Sequence, residues 1–562
     1  MKSDSSSNKK NSFSQWWLSG VPWIWLNAGA VSISIVVVSG LLFMIAAKGM
    51  GHFWPANIYQ FDYQTESGKT SIIGEFIQAE KISRSRYEES GLGAAPEGDE
   101  LVKRWLIKTG NREILSADFR WVDDFKIQHK KAPEDLIIIE RTEWGNFYGY
   151  LKQISEAGKK LDEQDSRWQQ LESRIDRVTE LREQIHELED GDIGTINYQL
   201  ERLRLKRRSL ELDGLDSKEN LAEIEVQEKS LDADYKILRQ QLLTLNNKIS
   251  RDTATFEIMD GRVIDIKLSA VISVLKPNSL NVFEKVVKYF SNFKKFILDN
   301  PREANTEGGV FPAIFGTVMM VLLMSVLVTP LGVVAAVYLR EYAKQGAMIR
   351  LIRIAVNNLA GVPSIVYGVF GLGFFVYFLG GNIDQLFFPE ALPAPTFGTP
   401  GLMWASLTLA LLTLPVVIVS TEEGLARIPR SFREGSLALG ATKFETLWKV
   451  VLPMSSPSIM TGLILAVARA AGEVAPLMMV GVVKLAPQLP VDGNAPFMHL
   501  DRKFMHLGFH IFDVGFQSPN VEAARPLVYA TAFLLVLVIV LLNLSAIILR
   551  NRLRERYKAL DS

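Results

Sequence analysis

The chain has 562 residues, 48% hydrophobic and 22% charged, with 62 basic side chains against 62 acidic ones and so no net charge. That length is too great for one soluble domain, and the charge balance gives no global attraction to nucleic acid. The absence of cysteine excludes disulfide frames and thiol chemistry. With 6 histidines and no His-Glu-x-x-His spacing, no metal centre is expected, and neither a catalytic group nor a cofactor is predicted.

Residues 1–25 are a polar tail running into an interfacial stretch. The first fifteen, rich in Ser, Asn and Lys, read as disordered. Lys9 and Lys10 precede an aromatic belt of Trp16, Trp17, Trp23 and Trp25, and an apolar run follows over 26–47. About 20 apolar residues cross a bilayer, and the tryptophans and Lys48 frame the two ends. A cleaved leader has a shorter apolar core, so the length favours a retained membrane helix.

Residues 49–307 are soluble in character and read as an inserted α+β domain. β-type runs fall over about 55–150 and 252–275, clearest at 136–139 and 146–150. Between them, 152–250 is dominated by Leu, Glu, Gln, Lys and Arg. Leu221, Ile224, Leu231, Tyr235, Leu238, Leu242, Leu245 and Ile249 recur at three- and four-residue steps, with Glu228 the polar intruder. Leu171, Ile175, Val178, Ile196, Leu200, Leu203 and Leu210 keep the same rhythm upstream. The pattern predicts an antiparallel coiled-coil hairpin with its tip near Gly214, the first arm broken or bent at Gly191 and Gly194; an ordinary helical spacer is the alternative. Residues 255–268 read as a β-hairpin turning at Asp260-Gly261, completing one small β domain with the strands before the coil. Over 280–299, Val282, Phe283, Val286, Val287, Phe290, Phe293, Phe296 and Ile297 form an apolar stripe opposite several lysines. That suits a helix at a membrane surface or one packed on the β domain.

Five further apolar stretches follow, at 310–339, 354–379, 401–420, 459–483 and 527–549. If six spans alternate, Lys9 and Lys10, Arg340, Lys344, Arg350 and Arg353, Arg427, Arg430, Arg433, Lys443 and Lys449, and the basic tail 550–562 all fall on one side. The positive-inside rule makes that side cytoplasmic, with both termini inside and 49–307 outside. The predicted fold class is an all-α polytopic membrane protein of six transmembrane helices, its core at 308–549, with an inserted extracytoplasmic α+β domain.

The loop 421–458 between the fourth and fifth spans is then cytoplasmic. It carries Glu434-Gly435-Ser436, then Leu439-Gly440-Ala441, and thirteen residues after Gly440 Pro453, preceded by Val450-Val451-Leu452. The spacing suggests a short helix, a turn at Gly440-Ala441 and a second helix. It resembles the EAA motif of ABC-importer permeases, with Gly435-Ser436 for Ala-Ala and Val450 for Ile. The stretches 308–317, 358–371 and 469–477, the last reading Arg-Ala-Ala-Gly-Glu-Val-Ala-Pro-Leu, resemble hallmarks of phosphate-specific permeases of the PstA branch. The resemblance covers 308–549 and leaves the insert unexplained. It implies a type I importer permease core, with Glu434, Gly435, Ser436, Leu439, Gly440, Ala441 and Pro453 at the contact with a separate ATPase. The chain has no Gly-x-x-x-x-Gly-Lys phosphate loop of its own. Two ATPase copies, a second, PstC-like permease subunit, a periplasmic phosphate-binding protein and membrane lipid are the implied partners.

Arg469 and Glu473 are four residues apart in the fifth apolar stretch, where they can share a helix face and pair. Ionised groups at lipid depth usually face a pathway, and a guanidinium fork matches a phosphate; a static pair locking helices is the alternative. Glu422, Glu423 and Arg427, where the fourth span meets the cytoplasm, are candidates for an inner gate or for tying down the loop. A permease for another oxyanion such as sulfate or molybdate, or a membrane-anchored coiled-coil scaffold, remains as an alternative function.

Overall fold

The computed structural model describes residues 16–17, 19–65, 68–90, 100–161, 166–518 and 521–558; Lys9 and Lys10 lie outside them. Among the described residues six helices are long and apolar enough to cross a membrane. They are span 1 (Val21–Gly51), span 2 (Phe311–Tyr342), span 3 (Ser364–Phe387), span 4 (Leu402–Arg427), span 5 (Lys443–Gly472) and span 6 (Ala524–Arg552). Span 4 is the most enclosed. Its Leu409, Leu412 and Val417 pack with Met320, Met324 and Val328 of span 2 and with Ala466, Val467 and Ala470 of span 5. Span 1 stands outside this core and leans on span 6, where Gly49 lets the helices approach to backbone contact at Tyr529.

Two expected spans are placed differently. The third does not begin at 354: an amphipathic helix, Ala347–Leu359, comes first, and span 3 starts only at Ser364. Pro363 at the helix entrance explains the break, since a proline disfavours helical backbone in the residue before it. The fifth does not run over 459–483. Its helix begins inside the loop at Lys443 and ends at Gly472, after which the chain is extended at Glu473 (φ −79°, ψ 134°). Pro330 and Pro415 lie inside helices, whereas Pro363 and Pro476 stand at helix entrances.

Among its described residues the insert contains two large sheets rather than one, and a two-stranded ribbon pairing Pro301–Arg302 with Glu307–Gly308 closes it. Strands β1 (Ile58–Thr65), β2 (Gly68–Ser83), β3 (Leu101–Lys108), β4 (Phe119–Asp123) and β5 (Ile127–Lys131) form an antiparallel sheet ordered β4-β3-β2-β1-β5. The second sheet uses β6 (Ile137–Arg141), β7 (Phe147–Glu156), β8 (Lys159–Leu161), β9 (Asp252–Glu257), β10 (Val263–Lys267) and β11 (Val271–Leu275) in the order β10-β9-β7-β6-β11, with β8 on β7. The expected turn at Asp260-Gly261 joins β9 to β10, with Gly261 at φ +81°. Pairing of β7 with β9 closes the sheet across the base of the long helical excursion.

That excursion is an antiparallel helical hairpin. The first arm runs through Arg167–His186, a π turn at Glu187–Ile193, and Gly194–Leu212. Where a break or bend was expected at Gly191 and Gly194, the arm runs on through this wider turn. After Gly214 (φ +68°) the second arm, Lys218–Ile249, is capped by Ser217. The expected apolar stripe is the sheltered one, and Glu228 on it pairs with Arg207 of the first arm at 2.6 Å. Leu171, Ile175 and Val178 root the hairpin on Phe147, Ile154 and Phe256 of the second sheet. Further along, the Tyr198 hydroxyl donates to the Ala495 carbonyl at 2.5 Å and its ring meets that of His499 edge-on at 5.8 Å. His499 is itself held by Asp492 at 2.9 Å. The first arm therefore touches the connection between spans 5 and 6.

Candidate functional site

The loop after span 4 folds as its spacing demands. A short helix, Arg430–Ala438, is closed by two bonds, Gly440 N–H to the Leu437 carbonyl (3.0 Å) and Ala441 N–H to that of Ser436 (3.2 Å). This Schellman closure needs a left-handed residue directly after the C-cap Leu439, and Gly440 supplies it with φ +90°. Two residues on, Thr442 and Glu445 form a reciprocal capping box that starts the helix of span 5. Ser436 Oγ and Thr446 Oγ1, 2.9 Å apart, tie the two helices together. Arg433 fixes the unit to the bundle, donating to the Leu425 and Ile428 carbonyls (2.7 and 2.8 Å) and to Glu341 (2.9 Å).

The outer side of this unit is apolar and uncovered. Leu439 is 91% exposed, and Phe444 and Trp448 are stacked with ring centroids 6.3 Å apart. Glu434 and Gly435 are exposed beside them. Phe444 and Trp448 were missed in the sequence; their i, i+4 spacing on a helix entering the membrane was the available signal. Pro453, lacking an N–H for the ladder, lies just past a π turn at Leu447–Val451.

At the far end of span 5, Arg469 Nε lies 3.6 Å from Glu473 Oε1. The pair is present, but not on one helix: Arg469 is in the last turn and Glu473 is the first residue beyond it. The broken stretch after Gly472 sits against span 3. A Cβ added to Gly368 would fall 2.7 Å from Pro476 Cα, and one added to Gly371 would fall 2.4 Å from Thr408 Oγ1 of span 4. Non-helical backbone at such depth is tolerated where it lines a cavity or is covered by protein. Ala466, Val467, Ala470 and Ala471 are buried, whereas Leu465, one turn before Arg469, is 53% exposed. Arg469 itself is half-buried, its side chain 30% exposed at the edge of the face that Leu465 leaves open.

The chain returning toward span 6 packs on the break. Val474 meets Gly508, and Leu507 N–H donates to Thr317 Oγ1 of span 2 at 2.9 Å. His506 is fully buried there, its Nδ1 accepting from Gly508 N–H at 3.1 Å, and burial lowers its pKa to about 3.

At the loop end of the bundle, Glu422 does not pair with Arg427. Its partner is Arg353 of the amphipathic helix, at 2.5 Å. Arg340, Arg353, Asn357, Glu422 and Glu423 line a cavity of about 190 Å³, while Arg427 is exposed outside it. Arg353 was legible in the sequence only as a charge orienting the membrane.

A helical bundle with a membrane-side coupling unit and a broken, charge-bearing span defines the class of multi-pass transport permeases. Residues 328–559 match the family model described as binding-protein-dependent transport system inner membrane component. The chain is 34% identical over 244 residues to the phosphate transport system permease protein PstA 1 of Mycobacterium tuberculosis, 43% of this chain and 71% of that one. It is 37% identical over 188 residues to the PstA protein of Mycobacterium leprae (33% and 56%) and 32% identical over 195 residues to the probable ABC transporter permease protein YqgH of Bacillus subtilis (34% and 59%). The chain thus spans between about half and seven tenths of these relatives' lengths. A solved inward-facing MetNI methionine transporter overlaps 43% of this chain and 94% of its own at 18% identity, with a TM-score of 0.32. The chain belongs to the PstA family of ABC transporter permeases.

Proposed function

We propose that this chain is the phosphate-translocating membrane subunit of an ATP-driven importer, working by alternating access with the ATPase on separate subunits. The observation that carries the reading is the continuity of span 5. One helix begins at the capping box of the coupling unit and ends at Gly472, with Arg469 in its last turn. At 1.5 Å per residue such a rod is about 45 Å long, so displacement at one end moves the other. The exposed Leu439, Phe444 and Trp448 suit insertion into a groove of a nucleotide-driven partner, the helix-in-groove mode. Two ATPase copies are the matching stoichiometry for a permease pair.

Arg469 at the edge of an open face calls for a second, PstC-like permease subunit, because an ionised guanidinium against acyl chains is costly by at least about 2.5 kcal/mol. Between two subunits, the guanidinium meets a phosphate in its fork geometry, and Glu473 neutralises it when no anion is bound. The Arg353–Glu422 bridge closes the inner mouth. The basic clusters 340–353, 427–449 and 550–558 put the coupling end in the cytoplasm with both termini, and 49–307 outside the inner membrane. A periplasmic phosphate-binding protein delivers the substrate there.

The test is radiolabelled phosphate uptake in a strain lacking its own phosphate permease and carrying this chain with its neighbouring transport genes. Restored uptake that excess sulfate or molybdate leaves unchanged is expected. Competition by either would make the substrate another oxyanion, and no uptake with the chain present in the membrane would favour a scaffold.

A further inference from the structure

The helix Val282–Leu298 is closed at its start by a full capping box, Asn281 with Glu284, so it forms without help from a covering partner. Its two sides differ. One is held by the protein: Phe53, just past span 1, packs on Phe293 and Phe296 with ring centroids 5.3 and 5.1 Å away. Asn292 Nδ2 donates to the Phe53 carbonyl at 3.1 Å. The same cluster holds Val310 and Ala313 at the start of span 2 and Leu527 and Ala530 near the start of span 6. The helix therefore lies across the ends of three spans.

The other side has no cover. Val282, Phe283, Val287 and Phe290 are 74%, 76%, 55% and 63% exposed, and Trp54 beside them is 44% exposed. The Trp54 and Tyr289 rings are 6.1 Å apart, an aromatic pair at the level where span 1 emerges.

We propose that this open face is a lipid-binding surface, sunk into the acyl-chain boundary of the leaflet at the insert end of the bundle. Continuity with the spans decides the occupant: Phe53, two residues past span 1, fixes the helix at the end of that span, where a bilayer around the spans would lie against its open face. An amphipathic helix buries its apolar face about 5–10 Å into that boundary. Lys294, exposed in line with Phe290, has a stem long enough to reach the headgroups. The insert is thereby clamped to the membrane at its base, so that the sheets and the hairpin keep a fixed tilt over the permease.

The chain contains no cysteine, so single cysteines report cleanly. Nitroxide labels at Phe283→Cys, Val287→Cys and Phe290→Cys, in the full assembled complex in lipid nanodiscs, are measured for collision with oxygen and with a water-soluble nickel chelate. Leu215→Cys at the hairpin tip is the aqueous reference. The proposal expects oxygen to exceed nickel at the three helix positions and the ratio to invert at 215. Nickel exceeding oxygen at all three would place the face in water and overturn it. Exclusion of both reagents would mean that a protein covers the face and would overturn it equally.

Discussion

Gly440 shows how much a single backbone angle can carry. A Cβ added there meets no atom within 4 Å, so a substitution is opposed by its φ of +90° and not by crowding. Gly440→Asp strains the Schellman closure by about 1–3 kcal/mol and reorients Leu439 relative to Phe444. We expect the protein to reach the membrane at normal amount, by immunoblot, with phosphate uptake reduced at least tenfold, a barrier of about 1.4 kcal/mol. Gly435 is the counterpart. It is helical and equally open, so Gly435→Ala removes a poor helix former and is expected to add up to about 1 kcal/mol to the helix, read as a raised melting temperature. A lowered melting temperature in the second variant, or full uptake in the first, would contradict the conformations given to these glycines.

Among the elements, the connection from span 5 to span 6 carries a pH signature. Burial lowers His506 to about 3 and, with Asp513 opposing, lowers His510 to about 4, against 6.5 for each when unfolded. Unfolding between those values takes up protons, so the stability these groups contribute is complete above about pH 6.5 and is lost as pH falls toward about 3. The melting temperature of the purified protein should fall between about pH 7 and about pH 4, and His506→Asn should make that fall shallower. An unchanged slope would show that His506 is not buried neutral. These histidines carried no signal in the sequence, because burial is a property of the fold. What was legible was local: the heptad stripe from Leu221 to Ile249, the Asp260-Gly261 turn, and the coupling unit with Gly440 at its centre. The errors came where tertiary packing overrides composition. The apolar run past Gly472 read as helix because hydropathy cannot register that Pro476 leans on Gly368, and the second helix expected after Gly440-Ala441 was not joined to span 5 because its polar start gives no apolar signal. Arg353 was invisible as the ion-pair partner of Glu422 because the two lie 69 residues apart in sequence.

At the scale of the whole molecule, a permease core carries a domain that touches it at its base and along the first hairpin arm. The base is fixed beside the span ends through Phe53 and the capped helix, and the first hairpin arm reaches Ala495 and His499. Between the coupling unit and the broken segment runs the helix of span 5, and the account stands or falls on its two ends acting as one. Arg469→Gln keeps the length and removes the charge. In the assembled complex reconstituted in proteoliposomes, the account predicts that this variant hydrolyses ATP at a near-normal rate yet accumulates no phosphate. Accumulation equal to wild type would contradict it.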